Sequence, residues 1–375
     1  MNNLQEALQF DALYESMEKC KNGKMWKSSV ARYYTHGIEE TLRLESEIEN
    51  GTYLPRKPHT FKLTYPKQRD CSSTHIRDRI VQRSVNDSIL YPEMTRSFIL
   101  DNAACQKGKG TTFAMDRLNT MLRRYYINHG SSDGWVLRCD IKGYYKSIRH
   151  GDADRLFTER IGQGGAEMCS SWLRRQYPGG RGYDPGSQMV QIIGISLLDR
   201  LDHVAKEQLR AKYYGRYMDD FYIISDNREF LQTCLTEMGA ALNAIGLHLH
   251  GQKTRIYPLK DGIDFLGFTF KLTESGKVLR LIDPKNVKHE RLKLRRMARL
   301  VVDGIITEEK YWECFEAWVA HARLGNTWKV QQRMRKYAKD VLRGAYENQE
   351  TDYVDFGREE GRKPQRQGLR DGACG

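Results

Sequence analysis

Acidic side chains in apolar surroundings are the first feature of this sequence that could carry chemistry. Asp219 and Asp220 lie within Tyr213-Tyr-Gly-Arg-Tyr-Met-Asp-Asp-Phe-Tyr-Ile-Ile-Ser225, between β-rich runs that end at Tyr217 and restart at Phe221. The pattern predicts a hairpin with both carboxylates at its tip. An Asp-Asp pair in a solvated turn is ordinary, because Asp favours turns. Here the flanks are aromatic and β-branched, so the hairpin is buried and its tip needs a compensating charge. A pair of divalent ions would supply it, clamping the attacking and leaving oxygens of a phosphoryl transfer. A third carboxylate, Asp140, stands in Trp135-Val-Leu-Arg-Cys-Asp-Ile-Lys-Gly-Tyr-Tyr-Lys-Ser-Ile148. That stretch begins as a strand, and strand interiors are depleted in Asp. Asp140 therefore reads as a metal ligand rather than a structural residue.

The frame that must hold these groups is a chain of 375 residues, long enough for two or three packed subregions. Mean hydropathy is -0.69 and 39% of residues are hydrophobic, which describes a soluble protein with a modest core. No apolar run approaches the ~20 residues of a membrane span, and the first ten residues lack the pattern of a signal peptide. Eight cysteines without any Cys-x-x-Cys suit a reducing cytoplasm rather than a disulfide framework or a structural zinc site. A net charge of +13 points to a polyanionic partner.

Residues 4–50 read as two or three helices, with Glu39, Glu40, Glu45 and Glu47 on solvated faces and Leu42, Leu44 and Ile48 turned inward. A strand from Phe61 enters a basic loop with Lys67 and Arg69, and Ile76-Arg-Asp-Arg-Ile-Val-Gln82 opens a helix. Gly-Lys-Gly at 108–110 lacks the spacing of an ATP-binding loop. A helix is expected over 112–126 and another over 152–175, followed by a glycine-rich loop at 178–186 and an apolar helix. His248 and His250 have no ligand at metal spacing and read as strand-face residues. From 285 to about 345 the chain is helical and basic, with Trp312, Phe315, Trp318 and Trp328 as its core. A Gly-, Arg-, Glu- and Gln-rich tail follows.

These boxes, in this order over about residues 60–345, resemble prokaryotic reverse transcriptases of the group II intron, retron and diversity-generating retroelement kind. The resemblance implies an α+β, right-handed polymerase fold whose palm is an antiparallel sheet of split-βαβ type bearing the Tyr-Met-Asp-Asp hairpin. It implies an N-terminal helical region at 1–60, fingers at 61–134, and a palm at 135–283 with a finger-side insertion at about 151–185. A helical thumb at 284–345 and a flexible tail at 346–375 complete the expected order. RNA-directed DNA synthesis follows, with Asp140, Asp219 and Asp220 catalytic. Two Mg²⁺ ions, replaceable by Mn²⁺, would lie on Asp140, Ile141 and Asp219. Lys67 and Arg69 would meet the triphosphate, Tyr145 would gate the sugar, and Gly186 and Gln191 would border the nucleotide. Lys253 would lie near the leaving pyrophosphate, and Phe265, Leu266 and Gly267 would grip the primer. Arg291, Lys293, Arg295 and Arg296 would track a duplex backbone.

Gly186 and Gln191 match the fourth box of diversity-generating enzymes, but Pro185 and Val190 depart from it. This suits a divergent cousin such as the antiphage defence-associated reverse transcriptases. The partners implied are dNTPs, a DNA product and an RNA template, a dedicated non-coding RNA in this reading, with an accessory protein or a second copy of the chain as further candidates and no membrane. No RNase H, endonuclease or zinc segment is visible. An untemplated nucleotidyltransferase on the same palm, or a non-catalytic RNA-binding scaffold, is the rival reading.

Overall fold

The computed structural model describes the backbone of residues 2–63 and 69–360, and the side chains of 4–63 and 70–347. Four helices come first: α1 (Asn2–Glu6), α2 (Phe10–Lys21), α3 (Ser28–Thr35) and α4 (Gly37–Glu49). On α4, Leu44 is buried but Leu42 is exposed, against expectation. Thr41, Leu44 and Ile48 recur at helical spacing, and Leu42 falls off that face. Two of the glutamates expected in solvent are engaged instead. Glu45 accepts from the Phe10 N–H at 2.6 Å, and Glu47 pairs with Arg77.

An antiparallel hairpin of β1 (His59–Leu63) and β2 (Arg69–Ser73) follows, ending in the pair Leu63↔Arg69. Next, α5 (Ile76–Val85) passes through a π turn at Asn86–Leu90 into α6 (Tyr91–Thr95), and α7 (Thr111–His129) starts directly after Gly110. Lys109 is spent locally, donating to the carbonyls of Leu100 and Asn102, each at 3.0 Å.

Then come β3 (Trp135–Asp140), the single turn α8 (Tyr144–Ser147), the long α9 (His150–Gln176), α10 (Gln188–Ser196), α11 (Asp199–His203), β4 (Tyr213–Tyr217), β5 (Asp220–Ser225), α12 (Arg228–Ala244) and β6 (Arg255–Pro258). Gly162, at φ +76, kinks α9. The four strands form one sheet in the order β4-β5-β3-β6, with β3 antiparallel to both β5 and β6. β5 and β6 are joined through α12 and separated by β3, which is the split-βαβ arrangement. Asn227 starts α12 by accepting from the Phe230 N–H at 2.9 Å. Phe221, Tyr222, Ile223 and Ile224 of β5 are all buried, which explains why the strand reads as a continuous apolar run. Residues 247–250, expected as a strand, contribute only an isolated bridge, Ile141↔Leu249.

Three short strands, β7 (Ile263–Phe265), β8 (Phe268–Leu272) and β9 (Val278–Ile282), precede α13 (Pro284–Val302), α14 (Glu308–Ala322) and α15 (Trp328–Glu360). The chain divides into two compact units, one of residues 1–266 with 271–278 and one of residues 267–270 with 279–375. Within the second, Asp283 caps α13 on the Lys285 N–H and Thr307 caps α14 on the Lys310 N–H. Tyr311, Phe315 and Trp318 are buried there, whereas Trp328 is 69% exposed and is not core. α15 also runs past the expected start of the tail at 346 and stays helical to Glu360. No proline interrupts it before Pro364, and Glu, Gln and Lys are good helix formers.

Candidate active site

The register of the central sheet brings the three aspartates together. Asp140 is the last residue of β3 and Asp220 the first of β5, and the two are directly paired, as are Tyr217 and Asp220 across the hairpin. The turn is therefore two residues, Met218 and Asp219. A two-residue turn that matches strand twist needs positive φ at its first position, and Met218 supplies it at φ +57. Ile141 follows Asp140, one residue beyond the last register pair Asp140↔Asp220. Its bridge to Leu249 is spanned by flanking bonds, Lys142 N–H to His248 O at 2.9 Å and His250 N–H to Asp140 O at 2.7 Å. The Ile141 carbonyl thus points away from that segment, toward the hairpin side.

The carboxylates differ in their partners. Asp220 takes a forked contact from Arg138 on β3, at 3.3 and 3.1 Å, and Asp140 accepts from Lys253 Nζ at 2.8 Å. Burial raises the Asp219 carboxyl above the usual range, and repulsion from Asp140 and Asp220 adds to this. Burial also raises Asp220, with Arg138 acting against it. Among the described residues no three His, Cys, Asp or Glu side chains form a group arranged to hold a metal. The donor set that remains is two carboxylates, Asp140 and Asp219, plus the Ile141 carbonyl. All are oxygens, and Asp219 is held where extra positive charge is wanted. This fits Mg²⁺, which keeps waters and substrate phosphates in its shell and takes few protein ligands.

Around this cluster the two adjacent tyrosines are sorted by burial. Tyr144 is in the core with its hydroxyl on the Gly194 carbonyl, while the Tyr145 ring is half-buried against Gly194. The chain turns into α8 at this point, so strand alternation no longer applies. Gly186 approaches β2 so closely that a Cβ would lie 2.3 Å from the Ser72 carbonyl oxygen. Gln191 is exposed on α10.

Sequence reasoning missed Ser187, which accepts from the Val190 N–H and donates to Gln82 at 2.7 Å. Gln82 in turn donates to Gln176, also at 2.7 Å, so a buried polar chain links α5, α9 and α10. The serine before an apolar helix was the available signal, as a helix cap.

The other expected site residues are distributed as follows. Lys67 and the Arg69 side chain lie outside the described residues. Phe265 is buried, edge-on to Tyr222 with ring centroids 5.2 Å apart, and Leu266 and Gly267 turn the chain at φ +50 and +85. On α13, Arg291, Arg295 and Arg296 are exposed on one face with Lys285, Lys288 and Arg299. Lys293 instead faces inward, bonded to buried Glu290 at 3.1 Å and to the Cys314 carbonyl at 3.2 Å. Helical spacing explains this: Lys293 lies off the exposed stripe.

A twisted antiparallel sheet with carboxylates at a strand end and a hairpin tip, backed by helices and followed by a helical unit, is the right-handed polymerase fold with palm and thumb. The family described as reverse transcriptase (RNA-dependent DNA polymerase) matches residues 64–270, more than half of the chain, and the chain belongs to it. Enzymes of this family are RNA-directed DNA polymerases, and they generally use divalent metal ions. No curated protein matches the sequence. Among solved structures, apo telomerase from Candida tropicalis aligns at 12% identity with a TM-score of 0.44, over 60% of this chain and 49% of that one. The chain thus spans about half the length of that protein.

Proposed function

We propose that this enzyme copies an RNA template, a dedicated non-coding RNA, into DNA within a bacterial or phage retroelement or antiphage defence system, in the cytoplasm. The observation that supports the catalytic reading is the register pair Asp140↔Asp220, next to the two-residue turn that carries Asp219. In the reaction the primer 3′-oxygen bonds to the α-phosphorus of a dNTP, the α–β phosphoanhydride bond breaks, and pyrophosphate leaves. Two Mg²⁺ ions, or Mn²⁺ in their place, supply positive charge for the attacking and leaving oxygens when bound. Asp140, the Ile141 carbonyl and Asp219 would hold them, with Asp220, bonded to Arg138, as support. Lys253, which donates to Asp140 at 2.8 Å, would meet the leaving pyrophosphate.

Tyr145 forms the sugar gate, Gly186 and Gln191 border the nucleotide, Lys67 and Arg69 neutralise the triphosphate, and Phe265, Leu266 and Gly267 grip the primer. The exposed stripe of α13 contacts backbone phosphates. In the first unit a cleft of about 650 Å³, lined by Lys27, Arg32, Arg56, Arg77 and Arg79 with Glu40 the one carboxylate among its described lining residues, supports RNA contact as well.

The test is extension of a DNA primer on matched RNA and DNA templates, with each dNTP alone, all four, and no template. Templated DNA product that requires Mg²⁺ or Mn²⁺ is expected. Product of one nucleotide type independent of template sequence would indicate untemplated addition. Absence of product with every template and metal would indicate a scaffold.

A further inference from the structure

The site rests on a charged residue that never reaches solvent. Arg216 is the penultimate residue of β4, one residue before the Tyr-Met-Asp-Asp box, and its side chain is 0% exposed, as is that of Asp202 on α11. The guanidinium makes four hydrogen bonds. Nε donates to Asp202 Oδ1 at 2.7 Å and Nη2 to Oδ2 at 2.5 Å, in a fork. Nη2 also donates to the Ile195 carbonyl at 3.2 Å, and Nη1 donates to the Met218 carbonyl at 3.0 Å. Tyr214 adds a donor to Asp202 Oδ1 at 2.5 Å. The backbone of Arg216 is fixed too, by the Asp101 carbonyl and the Ala103 N–H, each at 3.0 Å.

The last of those side-chain bonds is the informative one. Met218 occupies the left-handed region at φ +57, where a non-glycine residue persists only when its surroundings over-determine it. Its carbonyl belongs to the peptide that carries Asp219, so the bond from Arg216 fixes the plane from which the Asp219 side chain departs. Two buried charges are costly, and an apolar pair of similar volume is commonly as stable. A hydrophobic pair could fill the space but could not direct a bond at that carbonyl.

We propose that Arg216 is a positioning residue for the active site: seated on Asp202, it locks the Met218–Asp219 turn and thereby holds the Asp219 carboxylate in place beside Asp140 and the Ile141 carbonyl. The inference rests on the reading of Asp219 as a metal-binding carboxylate. It adds a residue that touches neither metal nor nucleotide and acts through the backbone of the turn.

The experiment compares wild type with the triple variant Arg216→Met, Asp202→Leu, Tyr214→Phe, which removes the buried polar group as a unit, and with Arg216→Lys. A lysine retains the charge beside Asp202 but replaces the rigid three-nitrogen fork, which spans that carboxylate and the Met218 carbonyl, with a single nitrogen. Three readouts are taken well below the melting temperature: hydrogen–deuterium exchange of the Met218–Asp220 amides, Mn²⁺ binding to the substrate-free protein by electron paramagnetic resonance, and the Mg²⁺ concentration for half-maximal incorporation. A triple variant with near-wild-type melting temperature is expected to exchange these amides at least tenfold faster, bind Mn²⁺ at least tenfold more weakly and need at least tenfold more Mg²⁺. Arg216→Lys is expected to move all three in the same direction, and it decides the matter if the triple variant does not fold. Wild-type values in a folded variant would overturn the proposal. Asp219→Asn run alongside separates the two levels. If it still incorporates nucleotides, the metal assignment fails and the proposal with it. If it is inactive while the folded variants bind Mn²⁺ normally, only the role of Arg216 is refuted.

Discussion

Replacing Gly194 by Ala perturbs the seat of the Tyr145 ring without touching the ring itself. A Cβ at this position would lie 2.7 Å from the Tyr145 hydroxyl oxygen and 2.9 Å from Cε1 and Cζ. Relaxing these contacts to ordinary van der Waals distance moves the ring by roughly 0.5–0.7 Å, and overpacking of this kind costs about 1–3 kcal/mol. Tyr144 fills the core beside it, with ring centroids 5.3 Å apart, so the ring must yield toward its open side. If that side is where the sugar binds, dNTP incorporation falls by about tenfold or more while rejection of ribonucleotides is kept. Tyr145→Phe removes the nearest atom of the clash, so the pair Gly194→Ala, Tyr145→Phe is expected to recover part of the loss. Tyr145→Ala opens the gate and is expected to raise ribonucleotide use relative to dNTP use by roughly 10- to 200-fold. The assay is single-turnover incorporation of matched dNTP and NTP opposite the same template base. Equal loss of both substrates in Tyr145→Ala, or a shifted ratio in Tyr144→Ala, would show that the gate lies elsewhere.

Three further outcomes are expected. Asp219→Asn should abolish incorporation yet leave the metal-free melting temperature unchanged or higher, because it relieves repulsion from Asp140 and Asp220 at a buried site; a clear loss of stability by calorimetry would contradict this. Replacing Arg295 and Arg296 together by Gln should flatten the slope of log affinity against log salt for primer–template by up to about 2, since each phosphate contact contributes about 0.9, whereas an unchanged slope would remove those side chains from the interface. Copying should be error-prone, because exposed Pro185 offers neither a side-chain hydrogen bond nor an N–H to the nascent pair; product sequencing at the fidelity of a glutamine-bearing reverse transcriptase assayed in parallel would refute it.

The central hairpin and the strand of Asp140 were legible in the sequence for a local reason: their β-branched and aromatic runs alternate with turns over short spans. The apolar helix α10 and the basic helical stretch that contains α13 were legible from composition over comparably short spans. Part of what escaped depends on partners distant in sequence. Gln82 and Gln176 meet across 94 positions, and nothing in either segment names the other. Arg216 did carry a signal, a lone cation inside an apolar strand, but its partner Asp202 lay in a helix that read as ordinary. Lys293 was grouped with its cationic neighbours because charge was counted by proximity in sequence, whereas the helix turns it inward to Glu290. Trp328 was assigned to the core by residue type alone, and its position at the start of α15 leaves it in solvent.

The division of the chain bears on how such a protein can be recombined. Residues 267–270 belong to the second unit and residues 271–278 to the first, so the chain passes between units three times within a dozen residues. A single crossover in a gene, placed after residue 266 or after residue 278, would leave one unit lacking a strand segment or carrying a foreign one. Exchange of the C-terminal unit between relatives is therefore expected to succeed only with three junctions, which move 267–270 together with 279 onward and keep 271–278.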